Sequence, residues 1–157
     1  MERHASRREF LWTAGGVAAG LGLTAIIAVE PARATPVAMQ EAIRKVVGSA
    51  RVNAGRVKLE LPPLSENGNA VPLAVSVESP MTEADHVKAM HVFTEKNPLP
   101  DVVTFHLGPR AGQARVATRI RLADTGTVVA ICELSDGSFW SDRVAVVVTL
   151  SACLEGP

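Results

Sequence analysis

From Gly55 onward the apolar residues recur at every second position. In "GRVKLELP", Val57, Leu59 and Leu61 alternate with Lys58 and Glu60, the period of a half-buried strand. "AVPLAVSVES" repeats the pattern, with Val71, Leu73, Val75 and Val77 on one face. Pro72, lacking an N–H, marks a position without a ladder partner there. The runs "VKAMHVFTE", "VVTFHLGP", "ARVATRIRLAD", "VVAICELSD" and "VAVVVTL" read as further strands. Between them, "SENGN" reads as a turn on Asn67-Gly68, where positive φ is cheap. "NPLPD" reads as a proline-bearing loop, "RAGQ" and "TGT" as turns, and "GSFWSDR" as a hairpin connection. Only "PVAMQEAIRKVV" has helical composition. It predicts a helix over Val37 to Val47, with Val37, Ile43 and Val47 on one side, Met39 and Val46 flanking, and Gly48 as the stop. About seven strands spaced roughly 8–12 residues apart, with helix confined to the start, predict an antiparallel β-sandwich and exclude a βαβ architecture.

The last strand departs from simple alternation. Val144, Val146, Val148 and Leu150 fall on one face, and Ala145, Val147 and Thr149 on the other. Both faces are largely apolar. Two readings follow: a central strand covered on both sides, or a strand whose outer face meets another subunit.

The N-terminus reads differently. Arg7 and Arg8 in "SRREFLW" precede an apolar, Gly- and Ala-rich stretch over Thr13 to Val29, which ends at "PARA" with Ala32 and Ala34 in an A-x-A arrangement. A paired-arginine region, an apolar region and a small-residue cleavage site predict a twin-arginine export signal over residues 1–34 and a periplasmic mature protein, with no membrane attachment once the signal is removed. That route exports folded proteins, so a subunit without its own signal can travel with this one. Removing residues 1–34 from the 157 leaves 123, one domain of ordinary size. Sixteen basic residues balance sixteen acidic ones, which excludes a polyanion-binding surface and argues against nucleic acid as a partner.

Candidate chemistry is sparse. His86, His91 and His106 lack metal-ligand companions at recognisable spacing. Ser65 and Ser79 have no nucleophile-elbow context. Arg119 and Arg121 alternate outward from a strand, as a solvated face or a partner contact strip. There is no Gly-rich phosphate loop and no haem-attachment motif, and no cofactor or metal is expected. The two cysteines, Cys132 in mid-strand and Cys153 near the end, stand out in an oxidising compartment.

The segments "ENGNAVPLAVSVESPMT", "FTEKNPLPDVVTFHLGPRAG", "TRIRLADTGTVVAICELSDGSFW" and "VTLSAC" together resemble the SoxY family, the sulfur-carrier subunit of periplasmic thiosulfate oxidation. The resemblance covers essentially the whole mature chain. It implies an immunoglobulin-like β-sandwich over residues 35–150 and a C-terminal arm over 151–157, whose cysteine, here Cys153, is the covalent sulfur attachment site. It further implies a heterodimer with a SoxZ-like subunit that lacks an export signal. The visiting enzymes it implies are a SoxXA-like c-type haem enzyme, a SoxB-like dimanganese hydrolase and a sulfane dehydrogenase. On this reading the chain is a substrate platform and not itself an enzyme. The arm departs from the family's Gly-Gly-Cys-Gly-Gly: "LSACLEGP" keeps only the cysteine.

A thiol beyond the last strand suits a carrier, because the sulfur must leave its own domain. Extended chain from Leu150 to Cys153 spans on the order of 10 Å. Leu154 and Glu155 narrow the backbone's freedom, and Glu155 adds negative charge beside a group that must ionise. Alternatives for Cys153 are an intermolecular disulfide, an inert tail, or a bridge to Cys132. The alternative for the whole chain is a non-carrying exported immunoglobulin-like scaffold or binding module.

Overall fold

A computed structural model describes residues 35–152; the export segment 1–34 and residues 153–157, with Cys153, lie outside the described residues. Helix α1 spans Pro36–Val47. Thr35 caps it, its hydroxyl accepting from the Ala38 N–H at 3.2 Å, and Pro36 occupies the first turn, where its missing N–H costs nothing. Gly48 ends it with φ at 60° and donates to the Arg44 carbonyl at 2.8 Å. The buried face is Met39, Ile43 and Val47, at four-residue spacing. Val37, expected on that face, is 67% exposed: it lies in the first turn, off the line that the other three define.

Nine strands follow: β1 Val52–Ala54, β2 Val57–Glu60, β3 Leu64–Ser65, β4 Val71–Val77, β5 Val87–Thr94, β6 Asp101–His106, β7 Arg115–Ile120, β8 Gly126–Leu134 and β9 Phe139–Val148. One sheet has the order β1-β9-β8-β5-β6, with β3 also paired to β9; the second has the order β2-β4-β7. The expected antiparallel frame holds for the long pairs, and β1 and β3 add short parallel pairings along β9. This is an immunoglobulin-like β-sandwich with a short N-terminal helix.

Alternation places the main core between the sheets. Leu59, Leu73, Val75 and Val77 meet Met90, Val92, Val128, Ala130, Cys132 and Val146 there. Each large side chain so buried contributes roughly 1.5–3 kcal/mol. A second, smaller core lies on the opposite face of the larger sheet, where Met39, Ile43 and Val47 cover Phe93, Ile131 and Phe139. The molecule therefore has three layers: small sheet, large sheet, helix. Among the described residues no helix is long and apolar enough to cross a membrane.

Three local expectations change. "GSFWSDR" is not a connection: β9 begins at Phe139, and Ser141, Asp142 and Arg143 belong to it. Those polar residues sit in a strand because neighbours use them. The Asp142 carboxylate accepts the Leu59 N–H at 2.8 Å, and the Ser141 hydroxyl lies 3.5 Å from the Asn53 carbonyl. The 66–70 connection is a turn, but not one of positive φ. Asn67 is extended, a short 3-10 segment covers Gly68–Ala70, and Gly68 is absent from the positive-φ residues. Pro72 pairs with Arg119 of β7 and lies past the end of β2, as its missing N–H suggests.

Along β9, Val146 and Val148 are buried, whereas Ala145 is exposed and Val147 is 49% exposed. The reading of a strand covered on both sides fails for this half. Leu64, in register with Val147, is 54% exposed, and Leu150, expected on the buried face, is 63% exposed.

Candidate functional site

The candidate site is the base of the C-terminal arm. Beyond β9 the chain does not swing free at once. The Thr149 N–H donates to the Ser65 carbonyl at 3.1 Å, and the Leu150 carbonyl accepts from the Gly68 N–H at 2.8 Å. The Ala152 N–H donates to the Leu122 carbonyl at 3.1 Å, and the Ala152 side chain is buried. Leu122 in turn donates its N–H to the Gly68 carbonyl at 2.8 Å. The extended span from Leu150 to Cys153 is thereby shortened: the first untethered residue after this base is Cys153 itself.

Cys153, the sequence-predicted attachment site, lies outside the described residues. The other cysteine is placed clearly. Cys132 is a free thiol, wholly buried in the main core, and burial pushes its pKa up to about 12. It stands opposite Trp140 in the β8–β9 register, whereas the tail leaves from beyond Val148. Trp140 to Val148 is about 25 Å of strand. A disulfide needs Cα atoms within about 7 Å. With Ala152 tied to Leu122, an intramolecular bridge between Cys132 and the next residue after Ala152 is out of reach.

The remaining candidates have structural partners. Ser65 donates to the Asn67 carbonyl at 3.1 Å, and Ser79 donates to the Asp85 carbonyl and accepts from the Met81 N–H. Neither hydroxyl is bonded to a base. The His86 ring nitrogen Nδ1 sits 3.0 Å from the Thr82 carbonyl oxygen. His91 of β5 is bonded to the Thr104 hydroxyl at 3.0 Å, and with His106 of β6, Lys88 and Glu133 it lines a recess of about 520 Å³. Burial holds the His91 pKa below its ordinary value; His106 adds to that, and Asp101 and Glu133 oppose it. Among the described residues no group of three or more His, Cys, Asp or Glu side chains could hold a metal ion. Arg119 lines an open groove of about 800 Å³ with Glu60, Pro72 and Thr118, while the Arg121 carbonyl accepts from the Asn97 side chain at 2.8 Å.

Sequence reasoning singles out Cys153 but misses what anchors its neighbours. Gly68 and Asn97 are visible only as turn residues, because a long-range backbone contact leaves no periodic trace.

An immunoglobulin-like sandwich that ties down its own C-terminal segment, one residue before a cysteine, is the class that fold and site define. Comparisons then give the family. A model described as "Sulfur oxidation protein SoxY" matches residues 43–153, so this chain belongs to the SoxY family. The chain is similar to the solved sulfur carrier protein SoxY from Chlorobium limicola f thiosulfatophilum, at 26% identity and a TM-score of 0.60, covering 73% of this chain and 98% of that one. Its fold is also similar to a superoxide reductase (neelaredoxin) from Ignicoccus hospitalis, at 21% identity and a TM-score of 0.54, covering 73% and 94%. A superoxide reductase from Nanoarchaeum equitans aligns at 10% identity and a TM-score of 0.50, covering 61% and 100%. Among curated proteins none matches the chain.

Proposed function

We propose that this chain is a periplasmic sulfur carrier that holds oxidation intermediates covalently on Cys153 and presents them to partner enzymes. One observation carries the reading. The family match runs through residue 153, and the sandwich fastens the chain up to Ala152, which leaves Cys153 as the first residue able to enter another protein's cleft. Cys132 does not compete: buried, with its pKa pushed to about 12, it is neither accessible nor ionised near neutrality.

The chemistry takes two balanced steps. The Cys153 thiolate and the terminal sulfur of thiosulfate form a sulfur–sulfur bond, and two electrons leave to an external acceptor, for which the family resemblance implies a c-type haem enzyme. The product is an S-thiosulfonate with one negative charge. Attack of water on its sulfonate sulfur breaks the bond to the sulfane sulfur and releases sulfate and two protons. A persulfide anion remains on the cysteine. This chain supplies the thiol and its presentation, and catalysis belongs to the partners. A SoxZ-like subunit accompanies it, and the twin-arginine segment exports the assembled pair.

A non-carrying scaffold is the second reading, favoured by the loss of the glycines that flank the family's arm cysteine. Intact mass of the mature protein, purified without reductant from thiosulfate-grown cells, separates the two. The carrier shows a sulfane, sulfonate or thiosulfonate adduct mapped to Cys153, and Cys153→Ser abolishes both adduct and thiosulfate oxidation. A clean thiol at Cys153, with activity intact in Cys153→Ser, sinks the carrier reading.

A further inference from the structure

Three segments far apart in the sequence converge beneath the tail: "ENGN" at 66–69, "KNPLP" at 96–100 and "RIRLAD" at 119–124. Each contributes one contact of a single relay. Asn97, buried in its loop, uses both ends of its side-chain amide. Nδ2 donates to the Arg121 carbonyl at 2.8 Å, and Oδ1 accepts from the Ala123 N–H at 2.9 Å. The residue between them, Leu122, is thus held from both sides, and its own backbone groups are left to face elsewhere. Its N–H bonds Gly68, and its carbonyl bonds Ala152. Gly68 closes the ring by donating to the Leu150 carbonyl.

Gly68 is required here for space. A Cβ on it would lie 2.4 Å from the Leu122 carbonyl oxygen, 2.8 Å from the Ala152 nitrogen and 3.1 Å from the Leu150 carbonyl oxygen. All three are backbone atoms, so no side chain can rotate away. Its φ is not positive, so conformational freedom is not the reason for the glycine. The Ala152 methyl group is buried at the same place.

The geometry points to a socket made by Gly68, Leu122 and Asn97 that fixes where the tail leaves the sandwich, with Gly68 a positioning residue for the Cys153 thiol. As a statement about the thiol's task, the inference rests on the carrier reading above. As a statement about the tail, it stands by itself. The socket has a functional consequence. A tail fastened up to the residue before the cysteine offers its sulfur at a fixed point and short reach, so less conformational freedom is lost when a partner cleft takes it up.

The test uses the full mature protein as purified, with two readouts that do not depend on sulfur chemistry. The first is amide hydrogen exchange at Ala152. The second is the mobility of a nitroxide attached to Cys153, which is selective because Cys132 is buried. In the unsubstituted protein the Ala152 amide is protected. Gly68→Ala lowers that protection at least about tenfold and mobilises the nitroxide, while protection in β5 and β8 is unchanged. Gly108→Ala, at a glycine with open space around it and φ of −144°, leaves every readout as it was. The third readout is loading of thiosulfate sulfur by the haem enzyme: Gly68→Ala raises the half-saturating carrier concentration more than it lowers the maximal rate. If Ala152 in the unsubstituted protein exchanges like a free tail, the socket is overturned, and this result needs no variant to fold. Unchanged Ala152 protection and nitroxide mobility in Gly68→Ala overturn it equally. If both respond but the unsubstituted chain accepts no sulfur, the socket stands and the carrier reading falls.

Discussion

Asp142 of β9 accepts the backbone N–H of Leu59 in β2 at 2.8 Å, a single side chain joining the two sheets at a partly buried point. It satisfies a strand N–H at the border between the layers. Asp142→Ala leaves that donor without its partner and is expected to cost about 1–3 kcal/mol. Asp142→Asn, whose carbonyl oxygen still accepts, costs less. Urea unfolding midpoints at constant m value check the order.

The helix face gives a second expectation. Ile43 packs with Met39, Val47, Phe93, Ile131 and Phe139, whereas Val37 is exposed. Ile43→Ala is expected to destabilise by about 2–4 kcal/mol through lost contacts and a residual cavity. Val37→Ala stays within about 0.5 kcal/mol. Equal effects of the two in thermal or urea unfolding would show that the helix presents a different face.

Cys132 makes stability depend on alkaline pH. Its folded pKa is raised to about 12, so the folded chain keeps a proton that the unfolded chain gives up. The contribution is full below the unfolded value and is lost as pH rises through the folded one. Unfolding midpoints of the parent should therefore fall more steeply than those of Cys132→Ala between pH 9 and the alkaline limit of the assay. A native thiol titration should find one fast-reacting cysteine, and two after denaturation.

His91 acts on the acid side. Burial first, and then His106, lower its pKa in the folded chain, against the pull of Asp101 and Glu133. The unfolded chain takes up the proton first as pH drops. The stabilising contribution is present above the unfolded value near 6.5 and is lost as pH falls through the folded pKa. A ring-proton NMR titration should place the His91 midpoint below 6.5, and His91→Gln should flatten the acid limb of stability. A midpoint at or above that value would contradict the burial argument.

The strands with clean alternation are legible in the residue pattern. In β2 and β4, Val57 to Val77 carry the core face at every second residue, and the fold buries those residues. β1 and β3 are not legible, because three- and two-residue strands give no period. The first half of β9 reads as a connection because Ser141, Asp142 and Arg143 have the polarity of one until β1 and β2 lie beside them. At the candidate site the sequence supplies the cysteine and its altered flanks, and its "ENGN", "NPLP" and "RIRLA" segments supply the family.

Local order is thus determined by the sequence itself: which residues alternate, where the helix starts and stops, and which family the chain joins. These follow from side-chain periodicity and turn chemistry, which act over a few residues. Tertiary structure alone decides that Gly68, Asn97 and Leu122 meet under Ala152, and that Cys132 is sealed away from the tail. Those facts come from backbone atoms brought within hydrogen-bond distance across some thirty to eighty residues. Backbone atoms are the same in every residue, so such a contact leaves no mark in the sequence except the one side chain that must be missing, at Gly68.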